Sequence, residues 1–155
     1  MQEDTAMATR SRIGVLLDDG TVKQVYCHFD GYVEGVGLTL IENYDTLEKA
    51  KTLISFGDMS YLRPEISTAE PHSFEKPVDG VTVFYGRDRG ESGTQPYILS
   101  MDEWLGAFST CEDYLYLFTG GQWWVYDRYE KDGWKNVKSF FPQYVLTGEE
   151  LTCNI

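Results

Sequence analysis

Three short segments of this 155-residue chain carry residue types that do chemistry. The first is Tyr26-Cys27-His28-Phe29-Asp30-Gly31-Tyr32. His28 and Asp30 are two apart, so on a continuing strand they share a face. A histidine oriented by an aspartate can act as a general base, and it can equally hold a phosphate or a carboxylate. The bland alternative is a strand end, with His28 capping backbone groups and Asp30 starting the turn. Cys27 adjoins His28, but strand neighbours point to opposite faces, which counts against a thiol–imidazole pair.

The second segment is Tyr85-Gly86-Arg87-Asp88-Arg89-Gly90-Glu91. It reads as a charged, glycine-rich loop after a strand. Arg87 and Arg89 have the fork geometry to grip an anion. Asp88 and Glu91 offer them internal partners instead, which would merely order the loop. The third segment is Arg10-Ser11-Arg12. Four of the six arginines thus fall in the pairs 10/12 and 87/89. Convergence of these arginines with His28 on one anion site is an expectation that needs the strands to be neighbours. The candidate ligand-binding set is Arg10, Arg12, Tyr26, His28, Asp30, Tyr32, Arg87, Asp88, Arg89 and Glu91. His28 and Asp30 are the catalytic alternative.

The net charge of −12 opposes direct nucleic-acid binding, which needs clustered cations against phosphate. It suits solubility and a basic partner. Cys27, Cys111 and Cys153 are odd in number and lack paired spacing, so reduced thiols are expected and no zinc site or disulfide framework. With His28 and His72 the only histidines, no metal site or cofactor is expected. A carboxylate-only magnesium site stays open. No apolar run approaches the roughly 20 residues of a membrane span. Neither a nucleophile elbow nor a Walker A motif is present.

The elements that must position these residues follow from periodicity. Apolar content of 42% marks a globular chain. Ile13–Leu17 and 21–29 read as a hairpin around Asp18-Asp19-Gly20. Val25, Cys27 and Phe29 should face one way, Tyr26 and His28 the other. A helix is expected over 33–44, burying Val33, Val36, Leu40, Ile41 and Tyr44. Gly35 and Gly37 weaken its first turns unless something approaches closely there. A second helix starts at Asp45 or Thr46, with Glu48 as a capping-box partner of Asp45, and buries Leu47, Ala50, Leu53 and Ile54. The segment 58–80 reads as a long loop of functional or mobile character. A strand over 81–85 and a short one at 97–99 come next. Ser100 and Glu103 then cap a helix over 101–108. Strands 114–118 and 122–126 form a hairpin around Gly120-Gly121, extended by 134–141. One of Trp123 and Trp124 should be buried and the other exposed, or packed under the tail. Residues 1–9 read as a disordered leader. Residues 10–155 read as one α+β domain: a mainly antiparallel sheet with two hairpins, and two to three helices packed on it.

In combination and order, Arg10-Ser11-Arg12-Ile13-Gly14, the 26–32 segment, Gly35-Val36-Gly37 and Arg87-Asp88-Arg89-Gly90-Glu91 resemble a group of small acidic proteins carried by bacteriophages and prophages. The resemblance covers roughly residues 7–126. Val33 stands where that group is expected to have proline, so the turn after Tyr32 should differ. The resemblance implies a viral accessory protein acting in the cytoplasm of a bacterial host. From it and the charge pattern we expect a non-enzymatic protein that counters a host function, foremost a defence system. It would bind a host protein or sequester an anionic ligand such as a nucleotide signal. Two alternatives remain: an enzyme acting on a phosphate-bearing or nucleotide substrate, and a virion or packaging accessory. Self-association is left open.

Overall fold

The N-terminal hairpin lies at the heart of one mixed sheet. In a computed structural model, residues 8–107, 111–130 and 132–155 are described. β1 (Ser11–Leu16) pairs antiparallel with β2 (Val22–Cys27) across the expected Asp-Gly turn. β1 also pairs in parallel with β6 (Tyr114–Thr119), which forms the Gly120-Gly121 hairpin with β7 (Gln122–Asp127). β8 (Lys135–Asn136) follows on the far side of β7. The outer edge of β2 is shared. β5 (Tyr97–Leu99) takes Val22–Gln24, and β3 (Met59–Tyr61) runs parallel at Cys27, with β4 (Val83–Phe84) beyond it. The sheet order is β4-β3-β2-β1-β6-β7-β8, with β5 beside β2. Antiparallel pairs dominate, and the chain is a single α+β domain.

The helices are more numerous than expected. A π-helical turn, Val33–Gly37, runs into α1 (Leu38–Asn43), and α2 spans Leu47–Ser55. Val33, Val36, Leu40, Ile41 and Tyr44 are buried as the period requires. They pack on the sheet face carrying Ile13, Val15, Val25, Cys27, Tyr116 and Trp123. The glycine in the first turn has a specific use. A Cβ on Gly35 would collide with the Asp30 carbonyl. That carbonyl accepts from Val36 N–H, so the chain reverses tightly into the helix. The cap of α2 is Thr46, whose hydroxyl accepts from Lys49 N–H, rather than the expected Asp45–Glu48 box. Leu47 is 48% exposed, so the buried face of α2 is Ala50, Leu53 and Ile54 alone.

The opposite sheet face carries a smaller core. Trp104 of α4 (Met101–Ala107) packs on Val22, Leu115 and Leu117. The capping box is present: Glu103 N–H donates to Ser100 Oγ, and Ser100 N–H to Glu103 Oε1. Phe108, expected to end this helix, lies outside the described residues. With both faces covered, Trp123 and Trp124 are both buried, and Trp124 takes the expected alternative of packing under the tail rather than standing exposed. Trp124 lies beside tail residues Glu149, Glu150 and Thr152, near α5 (Gly148–Leu151). The strand expected over 134–141 stops at Asn136 and becomes a 3₁₀ turn, Val137–Phe140.

The Arg87 segment is a helix, not a loop. α3 spans Tyr85–Arg89 and ends at Gly90, whose φ of 75° is the left-handed cap that glycine supplies. The long connection 62–82 is fastened to it at several points. Phe74 N–H donates to the Asp88 carbonyl, and Arg87 Nη1 to the Ile66 carbonyl.

Candidate ligand-binding site

β1 and β2 alternate about the sheet, and this sorts the candidate residues. Cys27 points into the helix-covered core, where burial pushes its thiol up to about 12. Arg12, Gln24 and Tyr26 point to the opposite face, beyond the end that α4 covers. Arg12 lies beside Tyr26 in register, with its guanidinium 5.6 Å from the ring centroid. His28 shares this face and is tied to Tyr26: Tyr26 Oη and His28 Nδ1 are 2.8 Å apart. Arg10 lies close enough to both residues to lower the pKa of each.

Burial pushes the Tyr26 phenol up to about 12, against the pull of Arg10, so it is protonated at neutral pH. Toward His28 Nδ1 the phenol donates or accepts according to the tautomer of the ring. Burial, then the Arg10 charge, lowers the His28 pKa, which keeps the ring neutral. The row thus presents a cation, a phenol and a neutral imidazole.

Across the sheet edge this row meets the second segment. Tyr85, the first residue of α3, is close enough to Tyr26 to act on it electrostatically, and burial raises its own pKa against the pull of Ser60 and Arg89. Arg89 stacks over Tyr85 and Phe74, at 4.8 and 4.4 Å from the ring centroids. Its guanidinium also donates to Glu91 at 2.7 Å. Asp58 seals the edge between the two segments. Its Oδ1 accepts from Tyr26 N–H at 2.9 Å, where β2 has left β5 and not yet met β3. Burial raises the Asp58 pKa, Tyr26 N–H and Arg12 oppose this, and Glu91 adds to it.

Not every candidate joins this site. Asp30 is separated from His28 by a turn. The strand ends at Cys27, and Asp30 takes φ of 59°, a left-handed conformation that aspartate tolerates better than most. Its carboxylate faces Arg63 at 3.8 Å and Tyr32 Oη at 3.4 Å. The expected shared face required a strand that continued. Tyr32 therefore belongs with Asp30 and Arg63, and the nearby Asp30 charge raises its pKa.

Arg87 and Asp88 build a separate clasp. Arg87 donates to the Ile66 and Thr82 carbonyls and to both Asp88 oxygens. Asp88 Oδ2 also accepts from Phe84 N–H at 2.7 Å and lies 3.5 Å from His72 Nε2. Burial would raise the Asp88 pKa, but Arg87 and Phe84 N–H outweigh it and hold it below the ordinary carboxylate value. His72 entered no candidate set because it stands alone in sequence. It has the carboxylate neighbour that His28 lacks, yet both its nitrogens are used. Nδ1 accepts from Val78 N–H at 2.9 Å, and Nε2 meets the Thr82 carbonyl at 3.2 Å. No ring nitrogen is left to take a substrate proton.

Two buried partners of Arg12 gave no motif in sequence. Glu112 is 1% exposed and accepts from Arg12 Nε at 2.6 Å. Gln24 Oε1 accepts from Arg12 Nη1 at 2.9 Å and Trp104 Nε1 at 3.2 Å. Strand alternation puts Gln24 on the Tyr26 face, and a buried polar residue there was the available signal. Among the described residues, no group of three or more His, Cys, Asp or Glu could hold a metal ion, and no helix is long and apolar enough to cross a membrane. No protein-family model, curated protein or solved structure matches this chain.

Proposed function

We propose that this is a phage-encoded binding protein that acts inside a bacterial cell and counters a host function, foremost a defence system, by capturing a small anionic ligand such as a nucleotide signal. The observation that carries the reading is the Arg10–Tyr26–His28 row on one polar sheet face, adjoining Tyr85 and Arg89. A guanidinium beside neutral hydrogen-bonding groups suits phosphate oxygens. The aromatic rings beside them suit a planar ligand. General-base chemistry draws less support, because His28 is held by a phenol and Asp30 faces elsewhere.

Calorimetric titration of the full chain with inorganic phosphate and with nucleoside monophosphates tests this. Arg10→Ala should weaken phosphate at least tenfold, and Arg87→Ala much less. Absence of phosphate binding, or equal effects of the two variants, would sink the reading.

A second reading has its own observation. Arg12, Arg87 and Arg89 each have a carboxylate partner within the chain, so the excess of acid dominates the exterior. This favours a basic surface on a host protein as the partner. Binding that weakens steeply with salt and ignores Arg10→Ala would select it.

A further inference from the structure

We propose that Gln24 and Arg12 form a second subsite beside the anion site, roofed by Tyr97, that takes two adjacent neutral acceptors such as the O6/N7 edge of guanine. This rests on the anion-site reading and specifies its ligand as a guanine nucleotide.

The starting point is an unpartnered donor. Gln24 is fully buried, and its Nε2 has no hydrogen-bond partner among the described residues. The amide cannot simply be turned over. Its oxygen accepts from Arg12 Nη1 and Trp104 Nε1, groups that only donate, so a flipped NH₂ would face two donors. Arg12 supplies the neighbouring donor. Its Nε is bound to Glu112 and its Nη1 to Gln24 and Tyr97, while Nη2 has no hydrogen bond among the described residues. The Arg12–Gln24 hydrogen bond therefore joins the two residues that carry these donors.

The charge environment selects the acceptor. Glu112 already neutralises Arg12, and Asp58 is close enough to act on it. A second anion gains little here, and a neutral acceptor pair is preferred. Guanine presents O6 and N7 together as acceptors, whereas adenine sets an amino group beside its N7, donor against donor.

The subsite has a roof and a fixed place. Tyr97 is the register partner of Gln24 across β2 and β5. Its hydroxyl takes a long 3.3 Å bond from Arg12 Nη1, and the residue is 49% exposed at the start of a three-residue edge strand. Ligand entry requires the Tyr97 ring to turn outward and uncover the Gln24 amide. The Tyr26 side chain then joins the two subsites. Arg12 lies against its ring, His28 meets its hydroxyl, and Arg10 lies close to both residues. A ligand with a phosphate at one end and a base at the other matches this layout.

The experiment is calorimetry on the full chain with GMP, AMP and inorganic phosphate, together with side-chain amide NMR of unmodified protein. GMP is expected to bind at least tenfold more tightly than AMP. Gln24→Leu should bring GMP to the level of AMP and leave inorganic phosphate unchanged. In the unmodified protein the Gln24 amide signals should move with GMP but not with phosphate, a readout that needs no foldable variant. Equal GMP and AMP affinities, or Gln24 signals that stay still, would overturn the subsite and leave a sealed water position only. Phosphate binding with no GMP preference fails this inference alone. Absence of phosphate binding fails the anion site and the subsite together.

Discussion

The clasp at His72, Asp88 and Arg87 and the open row at Arg10, Tyr26 and His28 both set a histidine among charged and hydrogen-bonding partners, and they are opposites in use. In the clasp every polar group is spent. Asp88 is 3% exposed and serves Phe84 N–H and Arg87, while His72 bonds a backbone group through each nitrogen. In the row the imidazole has one nitrogen engaged by a phenol and lies on a face that α4 covers at the other end. The lesson is that saturation, not residue type, separates a fastening from a receptor. A histidine beside a carboxylate looks more catalytic than one beside a tyrosine. Here the carboxylate neighbour belongs to the fastening.

Substitutions can break that contrast. Asp88→Ala has the largest expected effect. It strands the Phe84 N–H and leaves Arg87 without its carboxylate, so a loss of about 3 kcal/mol is expected from urea unfolding. His28→Ala should cost well under about 1 kcal/mol in the same assay, since it removes one part-buried hydrogen bond. Comparable losses would erase the distinction. Arg87→Met should cost about 2 kcal/mol, because the Ile66 carbonyl loses its donor and Asp88 loses its guanidinium. Arg89→Ala, whose ion pair with Glu91 is exposed, should cost no more than about 0.5 kcal/mol.

Acid separates the regions in a subtler way. Asp88 has a folded pKa below its ordinary value, so its contribution is full above that ordinary value and is lost as pH falls through the folded one. Asp88→Asn should flatten the stability profile below about pH 4. His28 also has a lowered folded pKa, because burial and Arg10 disfavour the imidazolium. Its contribution is full above about pH 6.5 and erodes as the unfolded chain takes up the proton first. The smallest expected change is that His28→Gln removes this slope between pH 7 and 5, read from urea midpoints. A slope that persists would mean that another group titrates there.

Local rules made much of the fold legible in sequence. The Asp-Gly and Gly-Gly turns, the Ser100–Glu103 box and the buried face from Val33 to Tyr44 all follow from neighbours within a few positions. What stayed hidden was decided by distant partners. The parallel join of β1 to β6 has no local mark, and Glu112 becomes the partner of Arg12 only through it. Gly90 looked like loop because a helix-ending glycine and a loop glycine are the same letter. For the candidate site, strand alternation correctly set Tyr26 and His28 opposite Cys27. It failed at Asp30 because the strand ends at Cys27, two residues before its expected end.

The parallel join has a consequence for how the molecule is made. Ser11 pairs with Tyr114, so the centre of the sheet cannot close until most of the chain has left the ribosome. Until then the first hairpin waits with the β1 edge open, a template for any passing strand. Such long-range closure is slow, because loop entropy is spent before the contacts return it. A chain truncated before Tyr114 should therefore aggregate rather than persist as a smaller folded unit.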